Sequence, residues 1–128
     1  MKKLLVLLAT AVCAITANAG EFPDISIAEV KAAVESKKAT IIDVNGSDSW
    51  KAGHVPGAVD FQSKRAELAK ILPADKGALV IAYCGNPQCS AYAAAAEEAK
   101  KLGYTNVKHM SAGIAGWREA KAPLEKGQ

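Results

Sequence analysis

The sequence predicts an α/β fold in three layers, a small and mostly parallel sheet of about five strands with helices on both faces. Two observations predict it. Short apolar runs such as "TIIDV" and "ALVIAY" lack the polar alternation of a sheet with one wet face, so both faces should be covered. Stretches with helical spacing of apolar residues, or rich in helix formers, separate those runs, so strands and helices alternate.

Each element has its own local reason. Ser26-Ile27-Ala28-Glu29 has the form of a capping box, and Val30, Ala33 and Val34 follow at helical spacing, which predicts a helix to about Lys37. "TIIDV" is the next strand. Ser47 is placed to cap a brief helical turn through Trp50, and Gly53, Pro56 and Gly57 punctuate a loop before a short strand at Ala58–Phe61. Ser63 to Leu72 reads as a helix, Pro73 to Gly77 as a turn and "ALVIAY" as a buried strand. The alanine-rich stretch from Ser90 to Leu102 is a helix closed by Gly103 at C′, because alanine is the strongest helix former and glycine the commonest helix stop. "NVKHM" is a last strand, and Gly113 to Ala120 a final short helix.

The amino-terminal residues read as an export signal. Lys2 and Lys3 give a positive start, Leu4 to Ile15 a short apolar run, and Ala17-Asn18-Ala19 a cleavage site. The mature chain would begin at Gly20, with residues 20–128 forming one domain outside the cytoplasm, in a bacterial periplasm or secreted further. Acylation at Cys13 is the competing reading, and Val12 fits it poorly. The formal net charge is +3, from 16 basic and 13 acidic side chains. Loss of Lys2 and Lys3 brings the chain near balance, which argues against nucleic acid as a partner, and signal removal leaves no membrane segment.

Cys84 and Cys89 remain in the mature chain. Cys84 ends a strand and precedes a helix, and in open α/β sheets ligands bind beyond the carboxyl ends of strands. A helix starting near Ser90 would point its positive end at the sulfur, which predicts a lowered thiol pKa. Gly85, Asn86, Pro87, Gln88, Cys89 and Ser90 then form a tight loop whose amides would cradle an anion, with Cys84 as nucleophile.

These stretches resemble the rhodanese-like family of sulfurtransferase domains. Asp43-Val44 with Gly53-His54-Val55-Pro56-Gly57-Ala58 is similar to the family's early block, the loop from Cys84 to its active-site loop, and "MSAGIAGW" to its late glycine-containing turn. The resemblance implies that Cys84 takes a sulfane sulfur from a small donor, holds it as a persulfide and passes it to a thiol or a protein acceptor, as a monomer with no metal or organic cofactor. Related phosphatases use C-x5-R, and Ser90 stands where that arginine would be. The family's loop often carries arginines where this chain has Gly85 and Cys89, which argues against thiosulfate as donor.

Several residues keep two readings. Cys89 is either a resolving thiol that attacks Cys84 and releases sulfide, or a small buried residue at the helix start. A structural disulfide over so short a loop would add only about 2–3 kcal/mol. Two cysteines with one histidine make a poor zinc site. Asp43 either supports the active loop or holds a neighbouring one. His54 reads as a structural histidine, His109 as a satisfied strand histidine, and Trp50 and Trp117 as core or rim packing. The functional alternatives to sulfur carriage are a thiol-disulfide or persulfide reductase using both cysteines, and a non-catalytic binding module.

Overall fold

A computed structural model describes residues 22–127. The residues read as an export signal, Met1–Ala19, and the cleavage point before Gly20 lie outside them. The sheet has four parallel strands: β1 (Ala39–Asp43), β2 (Val59–Asp60), β3 (Leu79–Tyr83) and β4 (Val107–His109), in the order β2-β1-β3-β4. The fifth strand is reduced to a single parallel bridge between Asp24 and His109, in which His109 N donates to Pro23 O at 2.8 Å and Ile25 N to His109 O at 2.9 Å. It extends no further because Pro23 has no N–H to give and α1 (Ile27–Ser36) is capped immediately afterwards. Ser26 accepts from Glu29 N at 3.1 Å, as the capping box requires.

Apolar residues on alternate positions of the strands divide between two cores, as the period of two demands. Val80 and Ala82 of β3 face Ile42, Phe61, Leu68, Leu72 and the alanines Ala95, Ala96 and Ala99 of α5 (Tyr92–Lys101). Ile81 and Tyr83 face the other way, onto Val30 of α1, Val55, Met110 and Trp117 of α6 (Gly113–Glu119). Each fully buried aliphatic side chain stabilises the fold by about 1.5–3 kcal/mol. Alanine on the buried side of α5 lets that helix lie close against β3.

Two helical expectations are revised. The helix expected over Ser63–Leu72 is broken into α3 (Phe61–Lys64), a 3-10 turn (Arg65–Glu67) and α4 (Leu68–Ile71). Phe61, Leu68 and Leu72 dip into the core at its two ends, but residues 62–67 are exposed, so no packing holds the middle to α geometry. Helix α2 (Ser47–Ala52) is preceded by Gly46, and Ser47 is its first helical residue, with its hydroxyl donating to Asp60 Oδ2 at 2.6 Å. Helix α5 ends as expected. Gly103 at φ +99° donates to Lys100 O and Tyr104 N to Ala99 O, a Schellman stop. No helix among the described residues is long and apolar enough to cross a membrane.

Candidate functional site

The strand order reverses between β1 and β3, because the chain leaves β1 towards one edge and β3 towards the other. The loops that follow these two strands therefore flank the crevice where open α/β sheets bind ligands. Cys84 is the first residue beyond β3. Asn45 stands across from it, its Oδ1 only 3.6 Å from where a side chain on Gly85 would begin.

The loop is shaped from both sides. Asn86 O accepts from Cys89 N at 3.1 Å, closing a β-turn with Pro87 at its second position, and Asn86 Oδ1 accepts from Gln88 N at 3.0 Å. Behind it, Ile114 N donates to Cys84 O and Ala115 N to Gly85 O, both at 2.9 Å, so the first turn of α6 holds the loop's carbonyls. A trans peptide points its N–H opposite to its C=O. Fixing the Cys84 carbonyl towards α6 thus turns the Gly85 amide towards the sulfurs. Gly113 makes this approach possible: it sits at φ +64°, and a Cβ there would lie 2.6 Å from Gly85 C and O.

Cys84 and Cys89 are both free thiols. Cys84 is 1% exposed, and Cys89 is half-buried above it. Cys84 Sγ donates to Cys89 O at 3.3 Å, and the two thiols lie within hydrogen-bond reach of each other. The amides of Gly85 and Tyr92 face the Cys84 sulfur, and those of Gly85 and Ala91 face Cys89. The anion nest is therefore narrower than the whole loop, since the Gln88 and Cys89 amides are turned to Asn86. Asn86, Pro87, Gln88 and Ser90 are exposed around the rim.

The expected lowering of the Cys84 pKa does not hold. Burial, reinforced by the hydrogen bond to Cys89, pushes the Cys84 thiol up to about 11, against the pull of the Tyr92 and Gly85 amides. The helix begins two residues later than expected, at Tyr92, and its end does not offset desolvation. Burial acts to raise Cys89 as well. The hydrogen bond from Cys84 and the amides of Gly85 and Ala91 outweigh it, so Cys89 lies below the usual thiol range.

Asp43 does not reach the thiols. Buried at the end of β1, it accepts from Tyr83 Oη at 2.7 Å and from Asn45 N at 2.8 Å, and Tyr83 Oη accepts from Val55 N at 3.1 Å. The carboxylate thus ties β1, β3 and the Gly53–Ala58 turn together. Burial raises its pKa despite those hydrogen bonds. His54 is structural, its Nδ1 donating to Trp50 O at 2.6 Å and its ring stacked on Trp50. His109 corrects the expectation of a satisfied histidine: stacked on Tyr92 and buried, its Nε2 has no hydrogen-bond partner among the described residues. Trp117 is core, with Nε1 donating to Pro123 O at 2.6 Å. Tyr83 and Gly113 are the residues whose parts in the site the sequence reading missed. In the sequence Tyr83 is one more position of the run "ALVIAY", and the positive φ of Gly113 has no signature beyond the glycine itself. A cavity lined by Phe22, Lys100, Tyr104 and Val107 sits at the opposite, amino end of β4, apart from this site.

Comparison with known proteins agrees with this fold. Among curated proteins, the HTH-type transcriptional regulator Rv0324 of Mycobacterium tuberculosis is 31% identical over 104 residues, or 80% of this chain. The chain spans 45% of that relative's length. Among solved structures, the human single-domain sulfurtransferase TSTD1 is similar with a TM-score of 0.61 at 21% identity, covering 77% of this chain and 97% of that one. The 3-mercaptopyruvate sulfurtransferase SseA of Escherichia coli has a TM-score of 0.67 at 19% identity, covering 84% of this chain and 51% of that one. At these identities the solved structures establish the fold. The family profile described as Rhodanese-like domain matches residues 26–120, from the cap of α1 to the end of α6, and the chain belongs to the rhodanese-like domain family.

Proposed function

We propose that this chain is a sulfurtransferase that carries sulfane sulfur as a persulfide on Cys84 and delivers it to a thiol acceptor. The observation that carries the reading is the placement of Cys84 at the carboxyl end of the central strand, with the amides of Gly85 and Tyr92 facing its sulfur. A persulfide is more acidic than its parent thiol, so those amides stabilise the anion of the loaded state where they fail to ionise the empty one. The donor is a low-molecular-weight persulfide rather than thiosulfate, because the loop from Gly85 to Ser90 holds no cation for a dianion. The mature chain acts outside the cytoplasm as a monomer.

The test is the mass of the reduced protein after brief incubation with a cysteine persulfide, followed by peptide mapping. One added sulfur resting on Cys84, and none in a Cys84→Ser/Cys89→Ser double variant, is the expected result. No added sulfur, or sulfur resting elsewhere, refutes it.

The contact between the two thiols favours a second reading, a persulfide reductase. The Cys89 sulfur would attack the inner sulfur of the Cys84 persulfide, forming a Cys84–Cys89 disulfide and releasing hydrogen sulfide, and an external dithiol would reopen the bond. Loss of two hydrogens from the protein mass, matched by sulfide in solution, distinguishes it from carriage.

A further inference from the structure

The geometry points to Cys89, not Cys84, as the thiol that first meets the sulfur donor, with Cys84 receiving the sulfur from it by transfer inside the loop. This rests on the sulfur-carrier reading. Three features of the site support it. Cys84 is 1% exposed, whereas Cys89 is half-buried and so the more accessible of the two sulfurs. The Cys84 thiol donates to Cys89 O at 3.3 Å and is engaged with the Cys89 sulfur, so its proton is held inside the loop. The Ala91 and Gly85 amides face the Cys89 sulfur, and with the Cys84 hydrogen bond they keep that thiol below its ordinary range.

The chemistry closes without an oxidant. The Cys89 thiolate attacks the outer sulfur of a donor R–S–SH, the S–S bond of the donor breaks, and R–S⁻ leaves with the bonding pair. Cys89 now carries –S–SH. The Cys84 sulfur then attacks the outer sulfur of that persulfide, its proton passes to Cys89, and the products are the Cys84 persulfide and the Cys89 thiol. Delivery to an acceptor reverses the order. The buried position of Cys84 shelters the resting persulfide from stray thiols, and Cys89 serves as the exchange point on the way in and out.

The test follows both thiols in the same molecule. Reduced wild-type protein is given a short pulse of iodoacetamide near neutral pH, then unfolded, capped and mapped. Cys89 is expected to be modified faster than Cys84 by roughly tenfold or more, as one pKa unit in thiolate fraction alone would give. With cysteine persulfide as donor, rapid quenching should find sulfur on Cys89 before Cys84. Cys84→Ser should hold its sulfur on Cys89, and Cys89→Ser should load Cys84 more slowly than wild type by roughly the same factor. Faster alkylation of Cys84, or wild-type loading in Cys89→Ser, overturns the relay while leaving carriage on Cys84 intact. Absence of sulfur uptake by wild type and both variants refutes the carrier reading and the relay with it. The alkylation pulse uses the unaltered protein, so it decides the order of reactivity even if a variant folds poorly.

Discussion

Replacing Gly113 by alanine tests whether α6 shapes the thiol loop. The new methyl carbon would lie 2.6 Å from Gly85 C and O and 2.7 Å from Asn86 N, and these are backbone atoms with no rotamer to turn away. Two costs add. The left-handed φ of +64° costs an alanine about 1–2 kcal/mol. Overpacking against fixed backbone costs about 1–3 kcal/mol more. The total of about 2–5 kcal/mol corresponds to a fall in Tm of roughly 10–25 °C for a domain of this size. Gly57 supplies the control, since it also has a positive φ, +80°, yet a Cβ there meets nothing within 4 Å. Gly57→Ala should therefore lose only about 1–2 kcal/mol, the backbone share. Thermal unfolding followed by circular dichroism measures both. Native Gly113→Ala should also alkylate faster at Cys84, because relieving the clash separates α6 from the loop. If Gly113→Ala loses no more stability than Gly57→Ala, the close approach of α6 to the loop is not what fixes it.

Three further outcomes are expected. Tyr83→Phe removes the hydroxyl that bridges Asp43 and Val55 N, leaving a buried acceptor and a buried donor each without its partner. At about 1–3 kcal/mol for each orphaned group, urea unfolding should show a loss of at least about 2 kcal/mol, and a loss under about 0.5 would mean water replaces the hydroxyl. For Asp43, burial sets the folded pKa above the unfolded value, so the folded state binds the proton more tightly. The stability of wild type relative to Asp43→Asn should thus be greatest below the ordinary carboxylate value of 3.8 and fall as pH rises through the folded pKa; denaturation midpoints that show the opposite trend would refute the assignment. Finally, thiosulfate should load sulfur at least about tenfold more slowly than cysteine persulfide, since one missing charge-assisted contact is worth about 1.5–3 kcal/mol. Equal initial rates in the mass assay would show that amides alone suffice for a dianion.

The sequence disclosed the sheet because buried parallel strands advertise themselves as uninterrupted apolar runs. "ALVIAY" and "TIIDV" fall within a residue of β3 and β1. Helix ends were legible where a side chain or a glycine enforces them, at Ser26 and Gly103. They were not legible over residues 62–67, where exposure leaves the backbone free to tighten. In the site, the position of Cys84 at the end of a strand followed from the apolar run "ALVIAY" before it, but its ionisation did not. The dipole reasoning was correct in sign and lost to burial, and the depth of a side chain is a tertiary quantity with no local signature. Cys89 was recognisable as a neighbouring thiol, whereas its place nearer the solvent depends on the turn that Asn86 closes. Asp43 reads as a candidate helper because it too ends a strand. Its partner Tyr83 is far away along the chain and becomes its neighbour only through the β1–β3 register, which sets Asp43 beside Tyr83.

The hold of Ile114 and Ala115 on the loop carbonyls has a consequence for the history of each molecule. Those residues lie far downstream of Cys84, so pairing of β1 with β3 leaves the two thiols in an unfinished setting. Without α6 in place, the peptide planes after Cys84 would lack the two hydrogen bonds that orient them. If docking of the last helix completes the burial of Cys84, its protection against a pulse of alkylating reagent during refolding should appear with that helix and not with the sheet alone. The setting of the thiols thus depends on contacts made by the last helix as well as on the sheet.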